Sequence, residues 1–176
     1  GFIPDSRVQV YFMEHNEYFS HVPDLIYKSK NGRFYANNTE KFSFFSIGAI
    51  ETLQKLCWIP DILICNDWQL SLLPLIFKNN FQEMFKNMKI VFISHSYNDN
   101  YYIKKDTYNG MNLGNQTKQK MHNSFVEAVN NSDLVYILDN DSSLERILNN
   151  KDNKSCLKNN KYKSIAYDSS MPPTER

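Results

Sequence analysis

The chain has 176 residues, which is enough for one α/β domain with a hydrophobic core. Its 41% hydrophobic and 14% aromatic residues exclude an intrinsically disordered protein. The formal net charge of +1 provides no general electrostatic attraction to nucleic acid or to a membrane surface, so neither is an expected partner.

The N-terminal segment contains one predicted strand and a run of irregular structure. Residues Val8–Phe12 are β-branched and aromatic, which predicts a strand. A polar and aromatic loop follows at 14–18, where His15 is either a ligand residue or a solvated loop histidine. Turn signals at His21–Asp24 and Asn31–Gly32 bracket an irregular segment.

The longest predicted helix follows, with Asn38 or Thr39 as its N-cap. Trp58–Pro60 ends this helix, since a proline disfavours helical backbone in the residue before it. Apolar residues at helical spacing predict a stripe that faces the core: Phe42, Phe45, Ala49, Leu53 and Leu56.

A short apolar run and a polar cluster form the centre of the chain. Ile62–Ile64 predicts a strand buried on both faces, and a second apolar run at 70–77 predicts a helix. Asn66, Asp67 and Gln69 lie between the two. The cluster therefore falls at the carboxyl end of a strand, where open α/β sheets bind ligands. Helix capping by Asp67 or Gln69 is an equally good interpretation of the pattern alone.

A second buried strand, Ile90–Ile93, ends in Ser94–Ser96, so His95 falls in a position equivalent to that of Asp67. Because both follow parallel strands, we expect Asp67 and His95 to lie at the same edge of the sheet. Residues 97–115 show no periodicity and predict a long loop.

The C-terminal third predicts a helix, a third strand and another helix. The first helix is marked by Met121, Phe125, Ala128 and Val129, and the strand is Leu134–Leu138. Ser142 or Ser143 is the expected cap of the second helix, which carries Leu144, Ile147 and Leu148. From Asn149 the chain becomes rich in lysine and asparagine, which predicts a frayed tail over 149–176, or the start of a further segment.

The alternation of strands and helices predicts an α/β fold with a doubly wound, mostly parallel sheet and right-handed crossovers. The sequence has no GxGxxG, P-loop or GxSxG motif, which disfavours dinucleotide-binding, P-loop and serine-hydrolase functions. Asp99, Asp106, Asp139 and Asp141 are too scattered to predict a metal site.

The three cysteines have no metal-ligand spacing and leave an odd number, so a reducing compartment is the simpler expectation. Cys57 and Cys65 lie in apolar contexts and are expected to be small core residues. No apolar run is long enough to cross a bilayer.

Three motifs resemble the bacterial glycogen synthase and plant starch synthase family. They are Tyr35-x-x-Asn38-x-x-Lys41-Phe42, then Pro60-Asp61-Ile62 through Asn66-Asp67-Trp68, then Val91-Phe92-Ile93-Ser94-His95. The resemblance covers roughly residues 7–148 and implies the Rossmann-like N-terminal lobe of a two-lobed GT-B glycosyltransferase.

The resemblance implies retaining transfer of glucose from ADP-glucose to an α-1,4-glucan acceptor, without a metal or other cofactor. It places residues 1–148 in part of the first catalytic lobe. The family's K-x-G-G-L loop and its C-terminal lobe, which bind the donor, have no counterpart in this sequence, so the isolated chain is expected to be inactive. The implied location is the cytoplasm, or the plastid in a plant.

Matched residue by residue, Asp67 and His95 are the implied catalytic residues. The implied substrate-binding residues are Tyr35, Asn38, Asn66 and Trp68. This sequence departs from the family motifs at three positions: Asn37 replaces aspartate, Lys41 replaces arginine and Ser96 replaces asparagine, unless Asn98 aligns there instead. Two alternatives are a non-catalytic remnant of the same fold and an unrelated receiver-like or nucleotide-binding α/β module.

Overall fold

The structure, a computed structural model, describes residues 1–20, 25–113, 116–139 and 142–166. The turn predicted at 21–24 and the last ten residues lie outside this part of the chain. None of the described helices is both long and apolar enough to cross a membrane.

The elements alternate along the chain. The strands are β1 (Ile62–Asn66), β2 (Lys89–Ser94), β3 (Tyr102–Lys104), β4 (Met121–Asn123), β5 (Leu134–Asp139) and β6 (Tyr162–Ala166). The helices are α1 (Asn38–Lys55), α2 (Leu73–Asn80), α3 (Lys105–Gly110), α4 (Ser124–Asn131), α5 (Ser143–Asn149) and α6 (Lys151–Asn159).

The main sheet is parallel throughout and has the strand order β1-β2-β5-β6. The predicted α/β fold and three of the four predicted strands are therefore confirmed. Each connection moves one strand further in the same direction, so right-handed crossovers place the intervening helices on one face of the sheet. Contacts of α4 with both α2 and α6 agree with a single helical layer on that face.

The two faces of the sheet differ in burial. The face under the helices is nearly inaccessible at Cys65, Ile90, Phe92, Val135 and Ile137. On β1 the opposite face is open, with Ile62 56% and Ile64 53% exposed. The expectation that Ile62–Ile64 is buried on both faces is therefore wrong, because β1 is an edge strand with one covered face.

Helix α1 begins one residue earlier than an Asn38 cap would allow. Asn37 is the N-cap and makes no capping hydrogen bond through its side chain. Asn38 instead lies inside the first turn and donates from Nδ2 to the Tyr27 carbonyl at 2.8 Å. The predicted stripe is only partly correct, because Leu56 is 47% exposed whereas the most buried positions include Ser43, Ser46 and Ile50.

The predicted N-terminal strand is wrong. Val8–Phe12 joins no described sheet, and only Gln9 makes an isolated antiparallel bridge, to Phe2. Phe12 is 85% exposed. A β-branched run favours extended backbone, but a strand also needs a neighbouring strand to supply hydrogen bonds.

The two cysteines predicted to be core residues differ in their exposure to solvent. Cys65 is fully buried, as expected, and burial raises the pKa of its thiol to about 12. Cys57 is exposed and has a φ of 51°, because it lies in the turn after α1 where the chain reverses toward β1. The expectation of a core position for Cys57 is wrong.

The segment predicted as a loop over 97–115 contains regular structure. A short 3-10 helix at Asp99–Tyr101 leads into β3, which pairs with β4 in an antiparallel ladder, and α3 follows β3. Tyr101 and Tyr108 are almost completely buried. Aromatic residues that pack inside the domain thus order a segment that lacks helical or strand periodicity.

The C-terminal segment is ordered as far as the structure describes it. Residues 151–159 form α6, and β6 pairs in parallel with β5 along its whole length. The expected frayed tail is therefore wrong for these residues, and the division of the chain at 148 stays a prediction. Ser142 makes no capping hydrogen bond for α5; the Asp139 carboxylate accepts from the Leu144 amide at 3.0 Å instead.

Candidate active site at the carboxyl ends of β1 and β2

The polar cluster lies where β1 and β2 end side by side. Asn66 closes β1 and is in register with Ile93 of β2. The next amide, of Asp67, donates to the Ile93 carbonyl at 2.7 Å. The His95 amide in turn donates to Asp67 Oδ1 at 3.2 Å. The prediction that Asp67 and His95 share one edge of the sheet is confirmed.

The backbone of Asp67 is strained. Its φ of 59° and ψ of −173° fall in a region that is populated almost only by glycine. Such a conformation costs about 1–3 kcal/mol and persists only where surrounding contacts enforce it. The ladder bond to Ile93 and a 3.1 Å hydrogen bond from the Leu70 amide to the Asp67 carbonyl hold it here. Backbone strain of this kind is concentrated at functional sites.

The Asp67 carboxylate is bound by the segment that follows β2. Oδ1 accepts from the amides of His95 and Ser96, at 3.2 and 3.3 Å, and from the Tyr101 hydroxyl at 3.2 Å. Oδ2 accepts from Ser96 Oγ at 3.2 Å. Asp67 does not cap the short helix at 68–70 through its side chain, so the capping interpretation is wrong for Asp67.

His95 remains accessible at the surface of the same cluster. Its Nε2 lies 3.1 Å from Asn66 Oδ1, and both residues are exposed. The contact fixes one ring nitrogen, while the backbone of His95 is fixed by Asp67. An imidazole anchored in this way is available to a ligand at the sheet edge and can donate or accept a proton or hydrogen bond.

Tyr101 and Ser94 belong to this network, although no periodicity in the sequence indicates a buried Tyr101. The Tyr101 ring is fully buried, and its hydroxyl lies 3.0 Å from Ser94 Oγ and 3.2 Å from Asp67 Oδ1. Burial, and then the charge of Asp67, raise the pKa of the Tyr101 phenol well above its ordinary value. Tyr101 therefore stays protonated and can serve as a hydrogen-bond donor to the carboxylate.

Replacement of Tyr101 by phenylalanine tests this network. We expect Tyr101→Phe to lower the free energy of unfolding by about 1–3 kcal/mol, because Ser94 and Asp67 each lose a partner in a buried setting. Urea unfolding followed by circular dichroism measures the change. The control is Tyr11→Phe, since Tyr11 is 52% exposed and its hydroxyl bonds the Gln9 side chain in solvent.

Combination of Tyr101→Phe with Asp67→Ala separates the hydrogen bond from ring packing. If Tyr101 acts through Asp67, the double variant will lose less stability than the sum of the losses in the two single variants. Equal effects of Tyr101→Phe with and without the Asp67 carboxylate would contradict the assignment.

The other predicted site residues lie around the start of α1, beside the cluster. Tyr35 is partly exposed, and its ring centroid lies 4.9 Å from the Lys41 ammonium. Lys41 is only 2% exposed and donates to the Ile26 carbonyl at 2.8 Å. Burial lowers the pKa of Lys41. The Tyr35 hydroxyl is buried and has no hydrogen-bond partner among the described residues.

Trp68 and Asn38 are almost fully buried. The Trp68 ring is 8% exposed and makes edge contacts with the rings of Tyr27, Phe34 and Phe42. Asn38 is 6% exposed and bonds the Tyr27 carbonyl. Their predicted role in substrate contact stays a prediction. They pack beside the start of α1, close to the end of β1.

His15, the other candidate ligand residue, packs against aromatic rings. Its ring stacks on Tyr18 with centroids 4.8 Å apart and also contacts Phe44. Within the described ranges, no group of three or more histidine, cysteine or acidic residues could hold a metal ion.

Comparison with known proteins connects this geometry to carbohydrate chemistry. A family model described as the starch synthase catalytic domain matches residues 2–138. The glycogen synthase of Pelodictyon phaeoclathratiforme is 38% identical over 96 residues, and that of Chlorobium limicola is 40% identical over 96 residues. Each alignment covers 53% of this chain and 19% of the relative, so the chain spans about a fifth of the length of these enzymes.

A solved structure shares the fold. It is the catalytic domain of starch synthase IV from Arabidopsis thaliana, bound to ADP and acarbose. The match has a TM-score of 0.55 at 20% identity and covers 77% of this chain and 31% of the other. At this identity the likeness establishes a common fold.

Proposed function

Because this chain belongs to the glycogen and starch synthase family, which consists of glycosyltransferases, we propose that it forms the acceptor-side part of the first lobe of such an enzyme. The reaction is the retaining transfer of glucose from ADP-glucose to an α-1,4-glucan. The observation that carries the proposal is the convergence of Asp67 and His95 at one sheet edge, within the matched family domain.

In this reaction positive charge develops at the anomeric carbon while the nucleotide departs. Fixed charges and dipoles aimed at those atoms stabilise such a transition state. The exposed His95 ring and the exposed Asn66 side chain are the groups in this cluster that can reach a bound sugar. Asp67 holds the backbone of His95 and Ser96 through its carboxylate, so we assign it an electrostatic and positioning role.

The donor requires a second lobe as a partner. The Arabidopsis starch synthase was solved with ADP, which supports a nucleotide sugar as the donor in the family. We propose that the C-terminal lobe supplies most contacts to the nucleotide, and that Tyr35, Asn66 and His95 face the transferred sugar and the acceptor. No metal or other cofactor is part of the proposed reaction. A cytoplasmic or plastid location remains part of the same proposal.

Ligand binding by the isolated chain tests the assignment. We expect it to bind maltoheptaose in preference to ADP-glucose, with a dissociation constant on the order of a millimolar, about 4 kcal/mol, because half a cleft leaves a ligand largely hydrated. NMR titrations with each ligand measure this. Asn66→Ala should weaken glucan binding, whereas Asn80→Ala, an equally exposed change at the far end of α2, should not.

Each result of the titration has a distinct meaning. Tighter binding of ADP-glucose than of maltoheptaose would show that this part of the lobe has been assigned the wrong ligand. Absence of binding to either ligand would favour the non-catalytic remnant over a substrate-binding lobe. The unrelated α/β module is already excluded by membership of the family.

A further inference from the structure

A chain of hydrogen bonds leads from Asn100 to the Asp67 carboxylate. Asn98 Oδ1 accepts from the Asn100 backbone amide at 2.9 Å and from Asn100 Nδ2 at 2.7 Å. Asn98 Nδ2 donates to Ser96 Oγ at 3.1 Å. Ser96 Oγ in turn donates to Asp67 Oδ2 at 3.2 Å. We call Asn98 and Ser96 the relay, because they connect the segment after β2 to the carboxylate.

The donors and acceptors fix the direction of every bond in the relay. The Asn100 backbone N–H can only donate, so the Asn98 side-chain atom that faces it is the oxygen. The amide nitrogen of Asn98 therefore faces Ser96, and Ser96 Oγ accepts from it. The one proton of the Ser96 hydroxyl is left for Asp67, whose carboxylate can only accept.

Asn98 also supports the contact to the other oxygen of the same carboxylate. Its Oδ1 caps the short 3-10 helix at Asp99–Tyr101. The Tyr101 amide donates to the Asn98 carbonyl at 3.3 Å, and the Tyr101 hydroxyl donates to Asp67 Oδ1 at 3.2 Å. Both oxygens of Asp67 are therefore held by contacts that begin at one asparagine.

The orientation of the Asp67 carboxylate needs such contacts. The χ2 torsion of an aspartate is broad and roughly two-fold, so the side chain alone does not fix it. Donors on both oxygens restrict the rotation, and Oδ1 also accepts from the His95 amide at 3.2 Å. A change in the orientation of the carboxylate therefore displaces the backbone of His95, whose exposed ring belongs to the candidate site.

We propose that Asn98 is a positioning residue of the candidate site, which acts through Ser96 and the 3-10 helix to fix the Asp67 carboxylate and hence His95. Both relay residues are partly buried, which limits the competition of water for their hydrogen bonds. The consequence for a ligand rests on the proposed function, in which His95 faces a bound sugar.

Asn98→Asp separates the relay from helix capping. Aspartate caps helices as well as asparagine does, so the 3-10 helix and the midpoint of urea unfolding should be retained. The introduced carboxylate can only accept, so the Ser96 proton turns towards it and Asp67 Oδ2 loses its donor. NMR of the full 176-residue chain at pH 7 measures the Asp67 Cγ and His95 amide resonances. We expect both resonances to move.

Ser96→Ala removes the same donor without a new charge. It should move the Asp67 Cγ and His95 amide resonances in the unmodified chain and add little in an Asn98→Asp background, where the hydroxyl already points away. Asp99→Asn is the matched control, because it changes an exposed charge at the next position and leaves the relay intact. Resonances that stay in place in Asn98→Asp, that respond to Ser96→Ala equally in both backgrounds, or that move as far in Asp99→Asn would overturn the proposal.

Titration with maltoheptaose connects the relay to the ligand. Asn98→Asp and Ser96→Ala should each weaken binding about threefold or more, which is the effect of about one hydrogen bond, whereas Asp99→Asn should not. Shifted resonances with an unchanged affinity would overturn the positioning role. If the unmodified chain binds no maltoheptaose, the proposed function fails, and the resonances still decide whether Asn98 fixes Asp67 and His95.

Discussion

Truncation of the chain after Asn149 is expected to abolish cooperative folding. The change removes β6, which pairs with β5 from Val135 to Asp139, and α6, which covers the adjoining core. Cys156 and Leu157 are at most 6% exposed, and loss of a buried leucine side chain alone costs about 2–5 kcal/mol. Together these losses are comparable to the entire stability of a domain, about 5–15 kcal/mol.

Circular dichroism during a urea titration, with the dispersion of amide resonances, measures this result. Leu157→Ala isolates the packing of α6 without removal of any backbone and should cost about 2–5 kcal/mol. Lys158→Ala, at the exposed neighbouring position, should stay within about 0.5 kcal/mol. A truncated chain that keeps a sharp transition at an unchanged midpoint would show that the C-terminal segment is a dispensable tail.

A buried amide network explains why this segment cannot be removed. Asn153 is fully buried, donates to the Tyr97 hydroxyl at 2.6 Å and accepts from Asn123 Nδ2 at 2.8 Å. Asn150 donates to the Tyr102 hydroxyl at 2.9 Å, and that hydroxyl lies 2.8 Å from Tyr97 Oη. Truncation after Asn149 would take one hydrogen-bond partner each from Tyr97, Tyr102 and Asn123, which adds to the cost.

Trp68→Ala is the second change with a large expected effect. Trp68 packs against three aromatic rings between α1 and the end of β1, so its removal should cost about 3–5 kcal/mol through lost burial and a cavity. Trp58→Ala is the matched control and should cost about 1 kcal/mol or less, because that ring is 49% exposed. Urea unfolding of both variants measures the difference.

The same comparison distinguishes a core residue from a substrate contact. Trp68→Phe keeps an aromatic ring in the core, and we expect its maltoheptaose affinity to match that of the unmodified chain. A stability loss for Trp68→Ala no larger than for Trp58→Ala, or a specific loss of affinity in Trp68→Phe, would instead support Trp68 as a substrate contact.

The central strands could be predicted because each is a contiguous apolar segment of the sequence. Ile90–Ile93 and Leu134–Leu138 are apolar runs of strand length, and each is flanked by polar residues. The segment at 151–159 could not be predicted in the same way. Its lysines and asparagines indicate a solvated tail, and nothing in the sequence shows that Asn153 is fully buried against Tyr97 and Asn123. Such partners are distant in sequence and become neighbours only in the folded chain.

The candidate site likewise contains residues that could be predicted from the sequence and residues that could not. Asp67 and His95 follow two strands, so the rule for parallel sheets brings them together without knowledge of their contacts. Tyr101 and Ser96 bind the carboxylate through the detailed course of the chain after β2. The family resemblance implies a substrate contact for Trp68, but successive residues at a strand end point in different directions, and the Trp68 ring turns into the core.

The order of strands in the main sheet, β1-β2-β5-β6, is also their order along the chain. During synthesis on a ribosome, β2, β5 and β6 each emerge after the preceding strand of this sheet, with which they pair. The sheet of the described residues can therefore grow vectorially from β1 to β6. The antiparallel pair of β3 and β4 forms between the emergence of β2 and that of β5. Translation and assembly of this sheet can thus proceed in the same direction.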